Sequence, residues 1–257
     1  MRTFVVTGAT SGIGKATRDL LSSRGESVIG VGTRGGDVIA DLSTPEGRAG
    51  MVHDVAERSG GVIDGVLAIA GLSDPAPVTV AVNFFGMVGT LEGLRPLLAQ
   101  SSAPRAVGVS SVACLLPVDD DLVALMGAGD ESASLARAAE IAAHDSSNII
   151  YTSTKKAFAQ WIRRTAPSPS WAGAGIPLNA VAPAMTNTPI MAPMIDTPEK
   201  RAKLTARVPM PLHGIADPIV VANLLAWLVG VENTHMCGQV VFVDGGFDAV
   251  TRGDSNW

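Results

Sequence analysis

Tyr151 is the only tyrosine in this chain of 257 residues, and Lys155 follows it in Tyr151-Thr-Ser-Thr-Lys155. On a helix, positions i and i+4 share a face, so the lysine ammonium can lie close to the phenol. An unperturbed tyrosine titrates near ~10, too high for proton exchange at neutral pH, but a fixed cation beside it favours the phenolate and lowers that value. The pair would then serve as a general acid and base. The same spacing also occurs on solvated helix faces that do no chemistry, so the rest of the chain must decide.

Upstream, Thr7-Gly-Ala-Thr-Ser-Gly-Ile-Gly14 follows a short apolar strand and opens a helix. Glycines at 8, 12 and 14 let a pyrophosphate approach the backbone, where N–H groups and the helix dipole can hold it. Asp41 follows the apolar run Val38-Ile-Ala and reads either as a polar contact to an adenine edge or as a cap for the helix after Pro45. Gly71 would let the backbone pass close to a ribose, or is a plain turn glycine. Asn83 sits in a helical stretch that suits asparagine poorly, which points to a buried role for its amide. Ser110 and Ser111 follow the strand ending at Val109, at the carboxyl edge where open α/β sheets bind ligands, and read as substrate contacts or as a turn and cap.

Short apolar runs at Phe4–Val6, Ser27–Val31, Gly65–Ala68, Arg105–Val109, Leu178–Val181 and Gln239–Val243 alternate with helix-like stretches. This is the pattern of a doubly wound α/β fold: a parallel sheet buried on both faces and joined by right-handed crossovers. The first helix is expected from about Ile13 to just before Gly25. Two segments exceed the minimal alternation. An insertion at about 113–148 carries an Ala-rich run with strong helix propensity, Glu131 to Ala143, and a Met- and Pro-rich stretch at about 190–214 reads as a lid. No linker divides the chain, so a single domain is expected.

Composition narrows the function. With 47% hydrophobic residues, 17% charged residues, 28 glycines and net charge -5, the chain has a large core and no basic footprint for nucleic acid. Two cysteines and four histidines show no zinc-type spacing, so no metal is expected. The amino terminus leads straight into a strand, and no uncharged apolar run reaches the ~20 residues of a membrane span, so a cytoplasmic, membrane-free protein is expected.

Taken in order, Thr7-Gly-x-x-x-Gly-x-Gly14, Asp41, Ala70-Gly71, Asn83, Ser111, Tyr151-x-x-x-Lys155, Asn179, Pro183 and Val243-Asp-Gly-Gly246 resemble the short-chain dehydrogenases/reductases over essentially the whole chain. More narrowly, Val38 to Thr44 with Glu46-Gly-Arg48, Ser110-Ser-Val-Ala113, the insertion and the tail Asp244 to Val250 are similar to the bacterial 3α-hydroxysteroid dehydrogenase/carbonyl reductases. The resemblance implies a single-domain Rossmann-type fold and NAD(P)-dependent interconversion of a secondary alcohol and a ketone. Tyr151 would be the acid/base, and Lys155 would lower its pKa and hold the nicotinamide ribose. Ser111 would bond the reacting oxygen, and Asn83 would help organise a water for proton relay. Gly8, Ser11, Gly12, Ile13, Gly14, Asp41, Leu42, Ala70 and Gly71 would line the dinucleotide site. Pro183, Thr186 and Thr188 would meet the nicotinamide carboxamide, and Met185, Met191 and Met194 would shape the substrate pocket.

The chain departs from the family pattern at several points. Ala68-Ile69 stands where two asparagines are usual, Ala184 replaces a glycine, and 40 positions separate Ser111 from Tyr151. Strand two ends in Gly30-Val-Gly-Thr-Arg34 without the acid that repels a 2′-phosphate, so Thr33 and Arg34 suggest that NADP(H) is tolerated or preferred. The expected substrate is a small hydrophobic alcohol or ketone of cyclic shape, with a steroid or terpenoid skeleton. A silent dinucleotide-binding regulator and an epimerase or dehydratase using the same Tyr–Lys pair are the alternatives. The family likeness also implies a homodimer or homotetramer.

Overall fold

The structure, a computed structural model, describes residues 1–144 and 148–254. Residues 145–147 of the expected insertion therefore lie outside it. Seven strands form one parallel sheet in the order β3-β2-β1-β4-β5-β6-β7. They are β1 (Thr3–Thr7), β2 (Ser27–Gly32), β3 (Val38–Ile39), β4 (Gly65–Ala68), β5 (Arg105–Val109), β6 (Leu178–Pro183) and β7 (Val240–Val243). The six apolar runs read from the sequence are six of these strands, shifted by at most two residues at an end. The order reverses between β1 and β4, which opens a crevice at the carboxyl ends of those strands.

Helices cover both faces because right-handed crossovers that run left and right from the switch point lie on opposite sides. α1 (Gly12–Ser23) packs against α10 (Pro218–Leu228), and α2 (Pro45–Ser59) packs against α4 (Met87–Leu98). α3 (Pro77–Val80) and α4 flank a π-helical turn, Ala81–Gly86. The combined helical run Pro77–Leu98 is long and apolar enough to cross a membrane by length and composition, yet two-thirds of its apolar window is buried, as suits a core helix. Strands β4, β5 and β6 are buried at every position, so their side chains on both faces feed one continuous core.

The insertion forms a 3₁₀ turn (Val112–Leu115), α5 (Asp120–Ala128) and α6 (Glu131–His144). Asp119 caps α5 through the Leu122 N–H at 2.8 Å and takes both ends of the Arg137 guanidinium from α6, at 3.2 and 2.6 Å. That ion pair turns the two helices back on each other, and together they pack against α7 (Ile149–Thr165). From α7, the Thr152 hydroxyl donates to the Pro117 carbonyl and the Ser153 hydroxyl accepts from the Asp119 N–H. The 190–214 stretch contains α8 (Ala192–Ile195) and α9 (Pro198–Arg207), and α11 (Phe247–Arg252) follows β7.

α7 sits against β5 where a glycine makes room. A Cβ on Gly108 would stand 2.3 Å from Cζ of the fully buried Phe158 of α7. Gly108→Ala should therefore destabilise the fold by about 1–3 kcal/mol through overpacking, read as a lower urea midpoint with unchanged slope. A midpoint equal to that of the parent chain would contradict this packing.

Candidate active site

The glycine turn is glycine for space as well as for conformation. Gly8 has φ 67° and Gly12 φ 51°, angles that a side chain makes costly. A Cβ on Gly14 would sit 2.1 Å from the Gly8 carbonyl oxygen, one on Gly8 3.1 Å from Ala70 Cα, and one on Gly12 3.2 Å from Thr188 Cγ2. Ser11 is the N-cap of α1 but makes no capping bond through its side chain, which leaves first-turn N–H groups for an anionic acceptor. The Thr7 hydroxyl accepts from the Ile69 and Ala70 N–H groups at 2.9 and 3.0 Å and fastens the end of β1 to that of β4. A dinucleotide fits this cradle, since the three glycines keep the turn tight and bare where the uncapped N–H groups of α1 open.

Asn83 lies in the π-helical turn and is fully buried. Its amide oxygen accepts from the Leu72 N–H at 2.8 Å, and its nitrogen donates to the Leu72 carbonyl at 2.9 Å and the Thr154 hydroxyl at 3.3 Å. The side chain therefore clasps the loop after β4 to α7. Gly71 has ordinary φ but no room: a Cβ there would lie 3.3 Å from Asn83 Oδ1 and 3.8 Å from Lys155 Nζ. A side chain at Gly71 would therefore crowd the Asn83 amide.

The serine pair divides its work. Ser110 is buried and donates to the Lys155 carbonyl at 3.0 Å, fixing α7. Ser111 caps the 3₁₀ turn by accepting from the Ala113 N–H, donates to the Pro183 carbonyl at 3.3 Å, and stands beside the Tyr151 phenol. The 40-position gap closes because the insertion folds against the outer side of α7.

Lys155 is buried, donates to the Val109 carbonyl at 3.0 Å, and holds its ammonium 5.5 Å from the Tyr151 ring centroid. Burial brings Lys155 down to about 8. Burial also pushes Tyr151 up, and the Ser111 hydroxyl works against that shift. This corrects the expectation of a lowered phenol pKa: in the protein alone, loss of solvation around the ring outweighs the Ser111 hydrogen bond.

A cavity of about 290 Å³ runs from Gly8 and Ser11–Gly14 past Ala70 and Gly71 to Ser111, Tyr151 and Lys155, then on to Pro183, Met185, Thr186, Thr188, Met191 and Met194. It brings together the expected catalytic side chains other than Asn83, which supports it from behind. Ser73, Leu116, Leu204, Val208 and Phe247 also line it; no motif marks them, and only their apolar character hinted at a wall. Thr33, Arg34, Asp41 and Leu42 stand outside this cavity, towards the β3 side of the sheet. Ser43 holds the Asp41 carboxylate through its N–H at 2.9 Å and its hydroxyl at 2.6 Å, keeping it below the usual carboxylate range. Thr44, rather than Asp41, caps α2. Leu42 buries its side chain in the core, leaving only its backbone for a ligand. Gly32 cannot be other than small, because a Cβ there would meet the Gly35 carbonyl at 2.4 Å, and Asp37 turns its carboxylate onto the Gly30 N–H. β2 has no acidic residue of its own at this end, and the Asp37 carboxylate that reaches it is taken up by the Gly30 N–H.

The depressed Lys155 has a measurable consequence. Between about 8 and the unfolded value near ~10.4, the unfolded chain binds more protons, so the folded state gains stability as pH rises through that window. Below it the buried ammonium costs on the order of 3 kcal/mol, partly offset by the ~1 kcal/mol bond to Val109. Lys155→Met should therefore be more stable than the parent at pH 7, by about 2 kcal/mol, and the gap should close towards pH 10 in urea titrations. A gap independent of pH would refute the depressed amine.

Comparison with known proteins agrees with this geometry. Residues 8–248 match a family model described as enoyl-(acyl carrier protein) reductase. The chain is 34% identical over 256 residues to the 3-alpha-hydroxysteroid dehydrogenase/carbonyl reductase of Comamonas testosteroni, covering 98% of each. It is 29% identical to the cis-4-hydroxycyclohexanecarboxylate dehydrogenase of Sinomonas cyclohexanicum, covering 97% of each. Among solved structures, the 3-alpha-hydroxysteroid dehydrogenase from Pseudomonas sp. B-0831 complexed with NADH is 38% identical, with a TM-score of 0.88 over 98% of this chain and 99% of that one. A full-length match of this kind, over a glycine cradle that leads to a serine, a tyrosine and a lysine, means that the chain belongs to the short-chain dehydrogenase/reductase family and is an NAD(P)-dependent oxidoreductase.

Proposed function

We propose that the protein interconverts a secondary alcohol and a ketone of apolar, cyclic shape, with steroid or terpenoid skeletons as the leading class. One observation carries this reading: Ser111 and Tyr151 share a cavity whose lining includes Met185, Met191, Met194, Leu204, Val208 and Phe247. Met185 and Phe247 of that lining belong, with Val112 and Met210, to a small apolar cluster of their own. Flexible thioethers can mould such a wall around an irregular hydrocarbon. The relatives named for ring alcohols support the same class.

In this reading the bound nicotinamide supplies or accepts the hydride. Tyr151 Oη gives a proton to the ketone oxygen, or takes one from the alcohol, and the raised pKa of the phenol keeps that proton in place at neutral pH. Ser111 Oγ orients the reacting oxygen. Lys155 Nζ favours the phenolate that proton donation leaves and holds ribose hydroxyls, while Asn83 keeps the loop at Gly71 and α7 in register and supports a relay water. Gly8 and Ser11 to Gly14 hold the pyrophosphate, Pro183, Thr186 and Thr188 the carboxamide, and Ala70, Gly71, Asp41 and Leu42 the adenosine. The 190–214 segment, on a single catalytic domain, acts as the lid that excludes water. NADP(H) is accepted because no carboxylate stands at Gly32 and Arg34 is exposed beside it. A homo-oligomer is supported by the edge position of β7 and the exposed Ile219, Val220 and Trp227 of α10.

With a panel of steroid and terpenoid alcohols followed by nicotinamide absorbance, Tyr151→Phe should lose about 10²–10⁴-fold in kcat/KM while unfolding as the parent does. Near-parental activity in that variant would remove Tyr151 as the acid/base. NADPH should support turnover at least as well as NADH, and Arg34→Ala should weaken NADPH alone, by about tenfold. Strict dependence on NADH would reject that cofactor reading.

A further inference from the structure

The insertion reaches beyond α7. Glu131, the first residue of α6, receives the Arg48 guanidinium from α2 through two hydrogen bonds, Nη1 to Oε1 at 3.1 Å and Nη2 to Oε2 at 2.6 Å. Only 12% of the Arg48 side chain and 25% of the Glu131 side chain are exposed, so this is a shielded, bidentate ion pair rather than a solvated surface contact. The same Arg48 Nη1 donates to the Leu42 carbonyl at 3.2 Å. One guanidinium therefore joins the insertion to the turn after β3.

The backbone around that turn is cut to fit. A Cβ on Gly47 would lie 1.9 Å from the Asp41 carbonyl oxygen, one on Gly86 3.1 Å from the Leu42 carbonyl oxygen, and one on Gly89 2.8 Å from Arg48 Cδ. Gly89 thus opens the path by which the Arg48 side chain crosses α4 to reach Glu131. Gly47 and Gly86 let α2 and the π-helical turn close on residues 41–42 from two sides. The turn lies in the five residues 40–44 between a two-residue strand and a helix, outside the ladder of the sheet.

We propose that Glu131, acting through Arg48, positions the Asp41–Leu42 turn for the adenine end of the dinucleotide, so that the insertion is part of the cofactor-binding apparatus. The proposal rests on the reading that residues 41–42 meet the adenosine. Neither Arg48 nor Glu131 touches a reacting atom; both are positioning residues. The nicotinamide end is held by Lys155 and the loop after β6, which the clasp does not touch, so its loss falls on cofactor affinity and leaves the chemical step alone.

The test uses the full chain and 5′-AMP, which carries the adenine end alone, as a competitor of the dinucleotide. Glu131→Gln preserves shape and removes the charge; the Ki of AMP and the KM of the dinucleotide should each rise about tenfold, with kcat at saturating cofactor within about twofold of the parent. Glu131→Asp, which keeps the charge facing the Arg48 guanidinium, should recover most of that affinity, whereas a merely structural role filled by side-chain shape would leave it no better than Glu131→Gln. Arg137→Gln, which breaks the pairs of Arg137 with Asp119 and Glu140 inside the insertion, should leave the AMP Ki unchanged. Parental AMP and dinucleotide constants in Glu131→Gln, or an equal loss in Arg137→Gln, overturn the proposal. If AMP fails to compete in the parent chain, the placing of adenine at 41–42 fails instead, and the proposal with it.

Discussion

The structure depends on how α7 is seated on the carboxyl end of β5. Two bonds cross that junction at one residue: Lys155 Nζ donates to the Val109 carbonyl, and the Lys155 carbonyl accepts from Ser110. One turn further along, Phe158 fills the space that Gly108 leaves bare. Because the helix is held at both its backbone and its side chains, the Tyr151 phenol meets Ser111 in a fixed geometry, which is what a proton transfer requires. The arrangement has a cost. An ammonium is kept in a place that favours the neutral amine, a strain of the kind that active sites accept and the rest of the core must offset.

Around that junction, the less regular parts of the chain have mechanical reasons. The π-helical turn puts Asn83 where its amide can reach both backbone groups of Leu72 and the hydroxyl of Thr154, and this joins the loop after β4 to the helix carrying the tyrosine. The insertion fastens to the same helix from outside through Thr152 and Ser153. α7 therefore lines the cavity on one face and meets the insertion on another, and the long gap between serine and tyrosine costs the site nothing in geometry.

Much of this was legible in the residues. Buried parallel strands must be apolar on both faces, so Gly65–Ala68 and Arg105–Val109 could be delimited to the residue. The glycine turn could be placed because no other residue type tolerates those angles and contacts. Asp41 was less legible: a carboxylate three residues before a Thr-Pro helix start suits several turns, and the N–H it meets is that of Ser43. The apolar wall of the cavity was scarcely legible, since Leu204 of α9, Val208 just after it and Phe247 of α11 come from separate segments that carry no shared motif.

By itself the sequence determined the strand and helix alternation, the phosphate cradle and the identity of the Tyr–Lys pair, because each follows from local backbone freedom, side-chain periodicity or an i, i+4 spacing. Tertiary structure alone decided the direction of the phenol's pKa, the division of labour between Ser110 and Ser111, and the reach of Arg48 to Glu131 across 83 positions. Those are matters of burial and of which distant groups meet, and neither desolvation nor long-range contact is encoded in any short stretch of the chain.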